Sequence, residues 1–136
     1  MITSLEELQA HINQIPINEY LRLKLLEFGE GYSKLMMPYN PVFTNTWKTT
    51  HGGALMTLAD IAFFVALATL YGLDVSGRIS TVEEKTSFLS PSRESDLYAT
   101  ARVIKNGRKL IFGDVSITSD GGRIVSHSTV TYLRNW

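Results

Sequence analysis

One carboxylate, Asp60, stands in the middle of "TTHGGALMTLADIAFFVAL", residues 49–67, a run that is otherwise almost wholly apolar. A buried carboxylate without partners is costly, so Asp60 must be hydrogen-bonded, protonated, or placed where its segment meets a cleft. Two readings follow. Asp60 is a structural residue bonded to backbone or to a neighbouring Thr, or it is a general base or nucleophile whose pKa is raised by a partly dry site. Nine residues earlier stands His51-Gly52-Gly53. Glycines there let a ligand approach the backbone closely. If a helix starts at that point, its first N–H groups face outward with the positive end of the macrodipole behind them, which suits a developing oxyanion. His51 itself is either a substrate contact or a capping and packing residue.

Other chemistries are disfavoured. His11, His51 and His127 lack metal-ligand spacing, so no metal site is expected. The absence of Cys excludes disulfides, thiolate catalysis and cysteine metal sites. The 13 basic and 13 acidic residues cancel, leaving no overall field to draw the chain onto nucleic acid or an anionic membrane. Residues 78–136 nonetheless carry nine Lys or Arg against six Asp or Glu. That excess could suit an anionic ligand, but a solvated sheet face is the plainer reading.

The elements that must position these residues are legible from periodicity. The 136 residues, 44% of them hydrophobic, match a single domain spanning 1–136. Ser4 followed by Glu7 forms a capping-box pattern, and Leu5, Leu8, Ile12 and Ile15 recur at helical spacing, predicting a helix that ends near Pro16. Gly29-Glu30-Gly31 marks a turn or bulge between two extended stretches. Residues 52–71 are free of proline and rich in Ala and Leu, which predicts a helix; being apolar on every side, it should be buried on every side. A membrane span of that length is disfavoured by Asp60, Thr57 and Thr69. Beyond it, period-two alternation predicts strands at 78–89, 95–105, 109–119 and 123–133. The turns at Asn106-Gly107 and Asp120-Gly121-Gly122 should use residues that tolerate positive φ. With one or two strands ahead of the helix, the expected class is α+β: an antiparallel sheet of five or six strands wrapped around a long central helix. The opening "MITSLEELQAHINQ" lacks a basic stretch followed by an apolar core, so no secretory leader is expected and a cytoplasmic location is.

The stretch "NTWKTTHGGALMTLADIA" resembles the signature of hotdog-fold acyl-CoA thioesterases of the phenylacetic acid degradation (PaaI-like) type, with an Asn, then His-Gly-Gly, then Leu-Ala-Asp at fixed spacing. The "GEG" segment, the long helix, the run of strands and "SFLSP" at 87–91 follow in the same order. The resemblance implies that Asp60 is the base or nucleophile acting on a thioester carbonyl and that the Gly52 and Gly53 amides polarise it. It also implies that Asn45 positions water or substrate, that Thr81 orients the water or Asp60, and that His51 belongs to the site. Asn106, Gly107, Arg108 and Lys109 either form a solvated turn or, falling where basic hairpin residues of such proteins stand, meet the phosphates of coenzyme A, a part of the substrate and not a cofactor. The site of this family lies between protomers, which implies a homodimer, often paired into a tetramer. Lys48 departs from the pattern, since many members have Gly there, and it puts the shape of the loop carrying Asn45 in doubt. Trp47 either lines an entrance or packs.

Met56, Phe63 and Phe64 beside Asp60 point to a limited acyl pocket. The competing function is a non-catalytic domain that binds acyl-CoA or an acyl carrier. A hydratase on this fold is disfavoured, because His51 and Asp60 do not form the acid and base pair it needs.

Overall fold

The computed structural model describes residues 4–75 and 77–136. Ser4 caps α1 (Leu5–Asn13) by accepting the Glu7 amide at 3.1 Å, and Leu8 and Ile12 anchor that helix in the core. The helix stops short of Pro16. Pro16 instead opens a second helix, α2 (Pro16–Tyr20), at a first-turn position where its missing N–H leaves no bond unmade. Two strands, β1 (Lys24–Gly29) and β2 (Tyr32–Met37), then form a hairpin about Glu30-Gly31.

The long helix α3 (Gly52–Tyr71) and the strands β3 (Ile79–Phe88), β4 (Leu97–Asn106), β5 (Leu110–Ser119) and β6 (Ile124–Arg134) complete the chain, within a residue or two of the expected bounds. All six strands form one antiparallel sheet in the order β1-β2-β4-β5-β6-β3. The connection from β2 to β3 carries α3 across the sheet and delivers β3 to the far edge. Leu97, Ala99 and Ala101 on β4 and Ile111, Val115 and Ile117 on β5 point to the helix, as strand alternation requires. Ala59, Ala62 and Ala66 are fully buried, and their small side chains let the sheet come close to the helix backbone. α3 is long and apolar enough to cross a membrane, but here it fills the concave face of its own sheet.

Two expectations are corrected. α3 is not buried all round: Gly53, Thr57, Asp60, Ile61 and Phe64, together with Ala54 and Met56, form a partly exposed stripe along its length, because a six-stranded open sheet covers only one side of a helix. The glycines of the two hairpins also differ in purpose. Gly121 and Gly122 do adopt positive φ, at 84° and 83°. Gly107 does not; a Cβ there would lie 2.3 Å from the Leu110 carbonyl oxygen, so close approach of backbone to backbone selects it.

Candidate active site

The start of α3 shows how its polar groups are used. His51 is the N-cap, and its Nδ1 accepts the Gly53 N–H at 2.9 Å. That bond removes one of the two amides expected to face a ligand. The Gly52 N–H has no hydrogen-bond partner among the described residues, and it is the outward donor at the positive end of a 20-residue helix. Phe88 closes over it, its ring 3.1 Å from where a Cβ on Gly52 would stand. A cleft of about 310 Å³ lies there, lined by Asn45, Thr49, Gly52, Leu55, Phe88 and Leu89 among others. A larger cleft, about 800 Å³, opens at the opposite end of α3 beside Phe28, Thr69 and Asp74, away from these groups.

Asn45 lies in the loop before α3, and its side chain is spent on that loop. Its Oδ1 accepts the Trp47 and Thr49 amides at 3.0 and 3.1 Å, and its Nδ2 donates to Thr49 Oγ1 at 2.8 Å. Lys48 takes φ of 62°, the left-handed conformation that glycine adopts freely, so the loop keeps a glycine-like shape with a lysine in it. Trp47 is 73% exposed and packs against no core.

Asp60 is half-buried on the open stripe of α3. Thr81 on β3 donates to its Oδ1 at 2.9 Å, and Tyr132 on β6 donates to the same oxygen at 2.7 Å. The register explains the convergence, because Thr81 and Tyr132 are cross-strand partners. Two donors on Oδ1 fix the carboxylate in one rotamer, and Oδ2 makes no bond among the described residues. Burial, opposed by the hydrogen bond to Thr81 and reinforced by Asp60, pushes the Tyr132 hydroxyl far up, so it remains a donor.

Glu84 adds a second carboxyl. It follows Thr81 on β3 beyond a bulge, pairs with the buried Val130, and turns toward α3. Burial first, then the charge of Asp60, pushes its carboxyl up to about 7, and its Oε1 is shut from solvent without a partner among the described residues. Neither Glu84 nor Tyr132 was foreseen from sequence. A signal existed for each: of two adjacent acids in a strand one must face inward, and an inward Tyr needs a partner for its hydroxyl. Phe63, placed by sequence near an acyl pocket, is instead wholly buried against Tyr132 with ring centroids 5.4 Å apart; Met56 and Phe64 stay on the open stripe.

The basic hairpin sits one further step along β6. Asn106 Oδ1 accepts from Arg134 and Tyr71, and Lys109 Nζ reaches the Trp136 carbonyl at 3.4 Å. Arg134 lies against the Tyr71 and Trp136 rings and Arg78 against Trp136, so three cations, Arg78, Lys109 and Arg134, gather about Tyr71 and Trp136, with Arg108 next to Lys109 in the hairpin sequence.

A helix that carries an outward amide and a pinned carboxylate, wrapped by a six-stranded sheet, is the arrangement of a known family, and a model described as the thioesterase superfamily matches residues 48–126, more than half of the chain. This chain belongs to the thioesterase superfamily. The medium/long-chain acyl-CoA thioesterase YigI of Salmonella typhimurium is 21% identical over 92% of this chain and 89% of its own. Among solved structures, mouse thioesterase superfamily member 2 superposes with a TM-score of 0.86 over all of both chains at 20% identity. The PaaI protein of the E. coli phenylacetic acid degradation operon gives 0.82 over 96% of each chain at 22% identity. These two structures establish the shared hotdog fold. As a superfamily member the chain is a thioester hydrolase.

Proposed function

We propose that the chain hydrolyses acyl-CoA thioesters as a homodimer, with the Gly52 amide of one protomer and Asp60 of the other meeting on one carbonyl. The observation that carries this is the separation of the two groups within one chain. Eight residues of helix place Gly52 and Asp60 roughly 12 Å apart at 1.5 Å per residue, too far to act on the same carbonyl carbon. A second copy related by a two-fold axis brings the missing half.

The surfaces support such pairing. β3 is an edge strand whose outer ladder groups are unpaired, and Val82 and Phe88 on it are each 55% exposed. Met56, Ile61 and Phe64 on the open stripe of α3 continue that apolar surface. In the chemistry, Asp60, pinned through Oδ1, uses Oδ2 to activate water or to attack the carbonyl. The Gly52 N–H stabilises the oxyanion; Gly53 joins it only when His51 gives up its cap. Asn45 acts by shaping the loop that leads to these amides. Arg108 and Lys109, joined by Arg78 and Arg134, meet the phosphates of coenzyme A, and the likeness to YigI, an acyl-CoA thioesterase, favours an acyl-CoA over other thioesters.

The test is a panel of acyl-CoAs with a thiol-reactive dye, run beside Asp60→Asn. Thiol release should fall about 100-fold or more in the variant, the scale of losing a general base. Equal release from the variant would remove Asp60 from the mechanism. Binding of acyl-CoA without any release would replace hydrolysis by acyl-CoA binding.

A further inference from the structure

Glu84 is the one titratable group of the site that the reading above leaves without a task. A carboxyl oxygen shut from solvent and unpaired is destabilising and calls for an explanation, of which a catalytic role is one. Its surroundings are specific. Asp60 faces it from α3 and Tyr132 from β6; on β3 itself, Glu83 and Lys85 are exposed and project to the opposite face. No cation stands among the groups that act on it. The bulge between Thr81 and Glu83 shortens the strand, so Glu84 lies two register steps from Thr81, roughly 7 Å along β3. That keeps its carboxyl beside Asp60 on the inner face.

Resting on the thioesterase reading, but moving the proton-accepting role in it from Asp60 to its neighbour, we propose that Glu84 is the proton acceptor of the site: it takes a proton from the attacking water, which Asp60 orients, and returns it to the departing sulfur. In the first step an O–H bond of water breaks. Its proton bonds to the Glu84 carboxylate through Oε2, the oxygen that is not shut from solvent, and its oxygen forms the new C–O bond while the carbonyl electron pair moves onto oxygen. In the second step that pair returns and the C–S bond breaks, its electrons leaving on sulfur. The proton on Oε2 then forms the S–H bond, and Glu84 is again a carboxylate. No net proton is left on the enzyme in this cycle.

The two carboxyls divide the work by their environments. Asp60 is pinned by two donors on one oxygen and holds a fixed direction. Glu84 has no donor and sits in a drier place, which makes it the better base near neutral pH. An ordinary thiol has a pKa of about 8.5, so a carboxyl near 7 can give its proton to a leaving thiolate.

The experiment is the pH dependence of kcat/KM on an acyl-CoA that the wild-type protein cleaves, for wild type, Glu84→Gln, Glu84→Asp and Asp60→Asn, with thermal melts as the folding control. A base must be ionised to work, so wild-type activity should rise with pH through a midpoint near 7. Glu84→Gln should lose about 100-fold or more at pH 8 and lose that midpoint. Glu84→Asp should keep a midpoint at a displaced pH, and Asp60→Asn should lower the whole curve and move its limb below 7, because the Asp60 charge no longer raises the Glu84 carboxyl. A folded Glu84→Gln with wild-type rate and wild-type midpoint overturns the assignment and leaves hydrolysis by Asp60 standing. Wild-type protein that releases no thiol from any acyl-CoA overturns both. Independently of any variant, a carbon-13 titration of wild-type side-chain carboxyls should show one midpoint near 7; its absence also overturns the assignment.

Discussion

Asp60 is held by two unequal donors, and the inequality is testable. Tyr132 is 3% exposed and its hydroxyl has no water to fall back on, whereas Thr81 is exposed and its hydroxyl can exchange the carboxylate for solvent. A hydrogen bond to a charged group contributes roughly 1.5–3 kcal/mol. Tyr132→Phe should therefore lower kcat/KM roughly 10- to 100-fold, and Thr81→Val should lower it less, with both proteins melting cooperatively. Steady-state kinetics on one acyl-CoA would decide it; the reverse order would mean that Thr81 acts on water or substrate directly. At this scale the sequence made Asp60 and His51-Gly52-Gly53 visible because each is locally anomalous. Tyr132 and Glu84 are not anomalous in strands that also bear Thr, Ser and Lys, and they matter only because the register places them opposite Asp60.

Among the elements, the loop before α3 and the first turn of the helix form one mechanical unit. Asn45 closes the loop on Thr49, Lys48 makes the left-handed turn, and His51 caps the helix through Gly53. A left-handed L-residue costs about 1–2 kcal/mol, part of which glycine gives back in chain entropy. Lys48→Gly should stabilise the protein by roughly 1 kcal/mol without changing its activity, read as a rise in melting temperature and an unchanged kcat. A fall in melting temperature would mean that the Lys48 stem contributes packing that outweighs its strain. Sequence periodicity identified α3 and the four later strands because their alternation is long and regular. It foresaw the end of α1 near Pro16 but missed α2, since five residues are too few to show a helical period and Pro16 reads equally as a stop and as a first helical residue.

For the whole molecule, the proposed two-chain site turns on the distance along α3 between amide and carboxylate, roughly 12 Å. Gly52 is the first helical residue, where proline is tolerated, and His51 before it already has the extended ψ of 138° that a following proline requires. Gly52→Pro thus deletes the N–H, with Phe88 having only to shift its exposed ring. Removing an oxyanion donor costs about 10²–10³ in kcat. Gly52→Pro and Asp60→Asn homodimers should each be nearly inactive, and subunit exchange between them should restore roughly a quarter of wild-type activity, because one site of each mixed dimer is intact. No recovery after exchange, with mixing verified by mass, would place the whole site within one chain.

The sequence by itself determined the class of fold, the central helix and the pairing of a glycine-rich helix start with one carboxylate, because hydrophobic period and turn chemistry are local properties. Only the tertiary structure decided which amide is free, which oxygen of Asp60 is free, and that a second carboxyl stands beside it. Those outcomes depend on strand register and on a bulge in β3, where a one-residue change turns a side chain from one face of the sheet to the other.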